Sequence, residues 1–194
     1  ISIGATDNHP PASVTAQGAI FIGRLERDTG IIQYLDAVGQ SKTRYGLRVP
    51  FTICGTGSLR LRIAEIARSD AADVKLVGAT RDSIAAMKES RICLAAGYLS
   101  MLEAMSLGLP VIGIALSPLR MAYLKSMREA GGPISIQTTP GGIAREIARV
   151  INDDRLRESL ASRGRAFAAT MSWERMADLY IQLWSRTSGI EERH

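Results

Sequence analysis

Histidine is nearly absent from this sequence. Only His9 and His194 occur, one near each end, so the body of the chain offers no imidazole for proton transfer. A general base must then be a carboxylate, the substrate, or protein outside this chain. Cysteine is equally scarce. Cys54 and Cys93 each sit in an apolar run and read as buried strand residues. No Cys/His cluster has ligand spacing, so no structural zinc site is expected. Long hydrophobic runs are missing as well: "PVIGIAL", Pro110 to Leu116, is far too short to span a bilayer. No charged-then-apolar leader is visible, and the sequence opens on Ile1 rather than Met, so an upstream part is expected. The expected location is cytoplasmic, with at most a peripheral contact at a membrane surface. Aromatics are few, at 5%, and do not interleave with the arginine-rich stretches, which argues against single-stranded nucleic acid.

What is present is basic and ordered in its rhythm. The net charge of +5 favours anionic partners such as phosphates. Its excess is mostly arginine, in "RLRIAEIAR" and "RLRESLASRGR", whose helical periodicity reads first as a solvated face. Residues 1–18 are rich in Pro, Ser, Thr, Asn and Gly and read as a linker or arm, and 188–194 read as a tail. Between them, residues 19–187 alternate short apolar runs with amphipathic segments. Strands are predicted at Ala19–Gly23, Pro50–Gly55, Val74–Gly78, Arg91–Ala96, Pro110–Ile114 and Pro133–Ile136. Helices are predicted after each: one with Asp28 as N-cap, then about Ser58–Arg68, Thr80–Glu89, a segment carrying Glu103, Leu119–Glu129, and one opened by Thr139–Pro140. Two more follow, at about Asp154–Thr170 and Ser172–Arg186. This alternation predicts an α/β fold: a doubly wound, Rossmann-like parallel sheet of about six strands with helices on both faces.

In such a sheet a ligand binds outside the C-terminal strand ends. The segments expected there are "GRLERDTG", "GTGS", "GATR" and "GYLS". Glycines at strand ends let a ligand approach the backbone, and helix N-termini offer N–H groups to an anion. Neither the dinucleotide fingerprint nor the Walker pattern is present. Ser100–x–x–Glu103 also has the form of a capping box, the structural alternative to a binding role for Glu103.

"GRLERDTG", "CGTGSLR", "VKLVGATRD" and "GYLSMLEAMSLGLPVIG", in this order and spacing, resemble the C-terminal, donor-binding half of GT-B retaining glycosyltransferases of family 4. The resemblance covers about Ala19 to Trp184. It implies a domain that binds a nucleotide-diphosphate sugar, within an enzyme that transfers the sugar to an acceptor hydroxyl. The acceptor, a glycan, lipid or small molecule, is implied to bind an N-terminal half that this chain lacks, and "SWERMADLYIQLW" resembles the final helix that crosses back toward that half. The implied mechanism needs no metal, and this chain alone is implied to be inactive. The same resemblance implies roles for particular residues. Arg24, after Gly23, would contact the donor diphosphate. The backbone at Tyr98, Leu99 and Ser100 would hold the phosphates, Glu103 would grip the ribose hydroxyls, and Gly78 and Ala79 would lie along the base. Arg24 and Glu103 are thus the candidate catalytic residues; Thr29, Gly55 and Thr56 complete the candidate binding set. Two positions depart from the family pattern: Thr29 stands in place of a Lys and Ala95 in place of the first Glu of a pair. These departures fit a subgroup with different donor contacts, or a non-catalytic nucleotide-binding or scaffold domain. A basic RNA- or membrane-binding module is the third class.

Overall fold

Each strand is a short, mostly apolar or half-apolar segment of four or five residues, too short to stand alone, that is stable only as part of a shared sheet. The computed structural model describes residues 17–68, 73–80, 82–95, 97–171 and 173–188. Residues 1–16 of the expected arm over 1–18, both histidines, Ser172 and residues 189–194 lie outside the described residues. The strands are β1 (Ala19–Ile22), β2 (Phe51–Cys54), β3 (Val74–Gly78), β4 (Ile92–Ala95), β5 (Val111–Ile114) and β6 (Ile134–Gln137). All pair in parallel, in the order β3-β2-β1-β4-β5-β6. The helices are α1 (Ile31–Tyr45), α2 (Arg60–Arg68), α3 (Ser83–Lys88), α4 (Tyr98–Ser106), α5 (Pro118–Glu129), α6 (Pro140–Asn152), α7 (Asp154–Ala169) and α8 (Trp173–Ser188). This is the doubly wound α/β sheet that the alternation predicts, and α8 takes in Ser188, the first residue of the expected tail.

The strand period of two divides the apolar residues between two cores. Phe21, Ile53, Leu94 and Ile112 face α1 and α6, while Ile20, Cys93, Ala95 and Val111 face α4, α5 and the end of α7. Both cysteines are free and buried. Order along the chain reverses direction between β1 and β4, so their C-terminal ends leave a crevice between loops that turn to opposite faces.

Several helix starts differ from the sequence expectation. Asp28 does not cap α1. It lies in a 3-10 turn over Arg27–Thr29, and the N-cap is Gly30, left-handed at φ 81°. A side chain there would meet the Ile114 Cγ2 methyl at 2.3 Å, so packing as well as φ demands glycine. α3 begins at Ser83 rather than near Thr80, because Asp82 accepts from the Ala85 amide at 2.8 Å and stops the helix there. Thr139 caps α6 with Pro140 behind it, as the sequence indicates.

Candidate functional site

The C-terminal ends of β1 to β4 open into a cavity of about 730 Å³ beside the β1/β4 reversal. Its β1 wall is the loop after Ile22. Gly23 and Arg24 line it, with Arg24 at the rim: its side chain is 69% exposed and its Nη2 lies 2.8 Å from the Asp28 carboxylate. An exposed pair of this kind contributes about 0–1 kcal/mol, so an incoming anion can break it. Thr29 also lines the cavity, but its hydroxyl donates to the Glu26 carbonyl at 2.7 Å and closes the turn. Glu26 reaches across the loop to the next wall. Its carboxylate accepts from both the amide and the hydroxyl of Ser58, and these bonds hold its carboxyl below the usual range.

The β2 wall is made by Gly55 and Thr56. Gly55 corrects the expectation that strand-end glycines simply make room for a ligand. At φ 152°, its missing side chain would stand 1.9 Å from the Gly23 carbonyl oxygen, so it is the neighbouring loop that needs the space. Gly78 is corrected likewise: it is buried and outside the cavity lining, its φ of 84° makes the turn, and its carbonyl accepts from the Gly55 amide at 2.7 Å. Ala79 lines the cavity, joined by Ser83 at the start of α3 and by Thr80, which lies before that helix rather than in it.

The β4 wall is the start of α4. Gly97 is its N-cap; the Ser100 hydroxyl donates to the Gly97 carbonyl at 2.9 Å and accepts from the Gly97 amide at 3.3 Å. Ser100 is therefore the third helical residue and not the cap, and the Ser100–Glu103 capping box does not form. Tyr98, Leu99 and Ser100 make up the first turn, where N–H groups have no intrahelical partner. The Tyr98 ring packs 6.5 Å from Tyr123, so it is the Tyr98 backbone that remains for an anion. Glu103, one turn on, is half-buried and lines the cavity. Its negative charge adds to the burial that pushes the Cys93 thiol up to about 12. Ala95, by contrast, is fully buried in β4. Arg120, from α5, also lines the cavity and adds a cation that the sequence expectation does not place there. The signal was present in Ser117–Pro118, a cap followed by proline, which places Arg120 in a first turn at this sheet edge. Among the described residues no His/Cys/Asp/Glu group could hold a metal ion, and no helix is long and apolar enough to cross a membrane.

A family model for glycosyl transferases group 1 matches residues 16–153. The chain belongs to this family. Solved structures agree on the fold of this glycosyltransferase family chain, though at low identity. TarM of S. aureus, crystallised with UDP among its ligands, superposes with a TM-score of 0.69 at 18% identity, over 91% of this chain and 38% of that one. HepE of Anabaena, in complex with UDP and glucose, gives 0.67 at 18%, over 90% and 48%. The catalytic domain of the cholesterol-alpha-glucosyltransferase of Helicobacter pylori gives 0.64 at 16%, over 79% and 99%. The chain thus spans about two fifths of the TarM length. No curated protein matches it.

Proposed function

We propose that this chain is the donor-binding domain of a retaining glycosyltransferase, and that its cavity holds a nucleotide-diphosphate sugar. One observation carries the reading. At the edge where a parallel sheet of this family reverses, a single cavity brings together Arg24, the first turn of α4 and the Glu103 carboxylate. A diphosphate suits the α4 N–H groups and the helix dipole. Arg24, once released from Asp28, adds a charge-assisted bond. Glu103, which accepts through both oxygens, suits a pair of ribose hydroxyls. Ala79 and Thr80, which line the cavity beyond β3, are small enough to leave room for a base. During transfer, the acceptor hydroxyl attacks the anomeric carbon on the face that the diphosphate is leaving. Arg24 and the α4 amides stabilise the charge that develops on the diphosphate, with no metal required. The acceptor, a glycan, lipid or small molecule, binds through protein beyond this chain, in a cytoplasmic enzyme that can work at a membrane surface.

Ala95 favours a second reading. Its methyl is sealed in β4, and the family's first Glu is missing from that position, so a nucleotide-binding domain without transferase activity fits the same cavity. A thermal-shift screen of this chain against UDP, ADP, GDP and their sugars tests what the two readings share: ligand at one hundred times its dissociation constant adds about 2.7 kcal/mol of stability. No stabilisation by any of them overturns both. Transfer from a stabilising sugar nucleotide by the full-length protein decides for the enzyme.

A further inference from the structure

A cation in the first turn of a helix opposes the helix dipole, and that is where Arg120 stands. α5 opens with Ser117 as cap and Pro118 behind it, and the Ser117 hydroxyl accepts from the Arg120 amide at 3.2 Å. An acidic residue would suit this position; a local rule broken in this way marks a place to look for function. The Arg120 side chain turns inward. It is half-buried, it lines the large cavity, and two carbonyls aim its guanidinium: Nε donates to Ile114 at 3.3 Å and Nη2 to Ala95 at 3.4 Å. Ile114 ends β5 and Ala95 ends β4, so the group is held over the strand ends by the sheet itself.

Among the described lining residues the cations are Arg24 and Arg120. They follow β1 and β5, the two neighbours of β4 in the sheet. We propose that Arg120 is a second phosphate-binding residue of the cavity, which grips the diphosphate of a sugar nucleotide from the β5 side while Arg24 approaches from the β1 side. The proposal rests on the donor-site reading above. Arg120 is the deeper of the two cations. Charge interactions strengthen as water is excluded, so it contributes more to phosphate affinity than Arg24 at the rim. A planar guanidinium presents donors along more than one edge, which suits a phosphate approached beside backbone carbonyls better than a lysine does.

Isothermal titration of wild type and Arg120→Gln with UDP, uridine and inorganic pyrophosphate tests this. The expected result is a loss of UDP affinity of about tenfold or more, the scale of a lost charge-assisted bond, with pyrophosphate weakened in parallel and uridine unchanged. Unchanged UDP affinity overturns the proposal. So does an equal loss for UDP and uridine, the signature of a residue that only ties the strand ends together. Should Arg120→Gln fail to fold, Arg120→Met keeps the aliphatic stem and is read by the same ratio. If wild type binds neither UDP nor another nucleoside diphosphate, the donor-site reading falls and takes this one with it. Wild-type binding with an unchanged variant removes the Arg120 assignment alone.

Discussion

Glu103 and Ser58 show how much one side chain can decide at this edge. Ser100 already serves the Gly97 amide, so Glu103 has no part in capping α4. Glu103→Gln keeps the size and shape of the side chain and leaves the helix cap intact, so it should shift stability by less than about 1 kcal/mol. Nucleotide affinity should fall about tenfold, because one amide end becomes a donor and cannot accept from a ribose hydroxyl. A 2′,3′-dideoxy nucleotide should bind wild type weakly and lose little more on the variant; a full loss there would deny Glu103 the ribose. Glu26 carries the pH dependence of the same loop. The Ser58 hydroxyl and amide hold its carboxyl below the ordinary value of 4.5. A depressed carboxyl stabilises the fold above its unfolded value and loses that contribution as pH falls through the folded one. The stability gap between wild type and Ser58→Ala should accordingly be full above 4.5 and close below it. An NMR titration should show the Glu26 carboxyl moving back up in the variant.

Among the elements, β4 and β5 depend on a residue from α1. The buried Tyr34 hydroxyl lies 2.9 Å from the Ala95 carbonyl and 3.2 Å from that of Ile112, shares its proton between them, and accepts from the Ile114 amide at 2.9 Å. Burial pushes the phenol above its usual range, so it stays a neutral donor. Tyr34→Phe keeps the ring and strands the Ile114 amide. The expected cost is about 1–3 kcal/mol, read as a lower urea midpoint at unchanged slope. An unchanged midpoint would mean that water replaces the hydroxyl. Gly55→Ala tests the joint between the β1 and β2 loops, where a methyl would press on the Gly23 carbonyl. It should cost about 1–3 kcal/mol or more in thermal denaturation, through overpacking and a disfavoured φ. The number and type of these elements could be read from the sequence, because apolar runs and amphipathic segments are local patterns. Their starts were less legible. Asp28 and Thr80 have good capping chemistry, but the chain at those points is bent by contacts with other segments, Gly30 on Ile114 and Gly55 on Gly78.

The whole molecule has an uneven distribution of cover. β1 and β4 are buried between two cores, whereas α8 leaves Leu179, Ile181, Leu183 and Trp184 exposed. Amide exchange should be orders of magnitude faster in α8 than in β1 or β4, since few buried apolar contacts hold it. Equal protection would show that the α8 face is covered in solution. The sequence by itself determined the parallel α/β class, the edge at which a ligand site belongs, and the presence there of Arg24, Thr56, Ala79 and Glu103. Those follow from periodicity and from the rule that loops after parallel strands share one end. Only the tertiary structure decided which residues there face the cavity and which face each other. It gave Gly55 to the Gly23 carbonyl, Gly78 to a buried turn, Thr29 to Glu26, and the α4 cap to Gly97, and it swung Arg120 into the cavity. The physical reason is distance along the chain. Glu26 meets Ser58 across 32 residues, Arg120 meets Ala95 across 25, and Tyr34 meets Ala95 across 61. A local pattern fixes how each segment folds on itself; the direction in which a side chain leaves it depends on the partner that folding brings alongside.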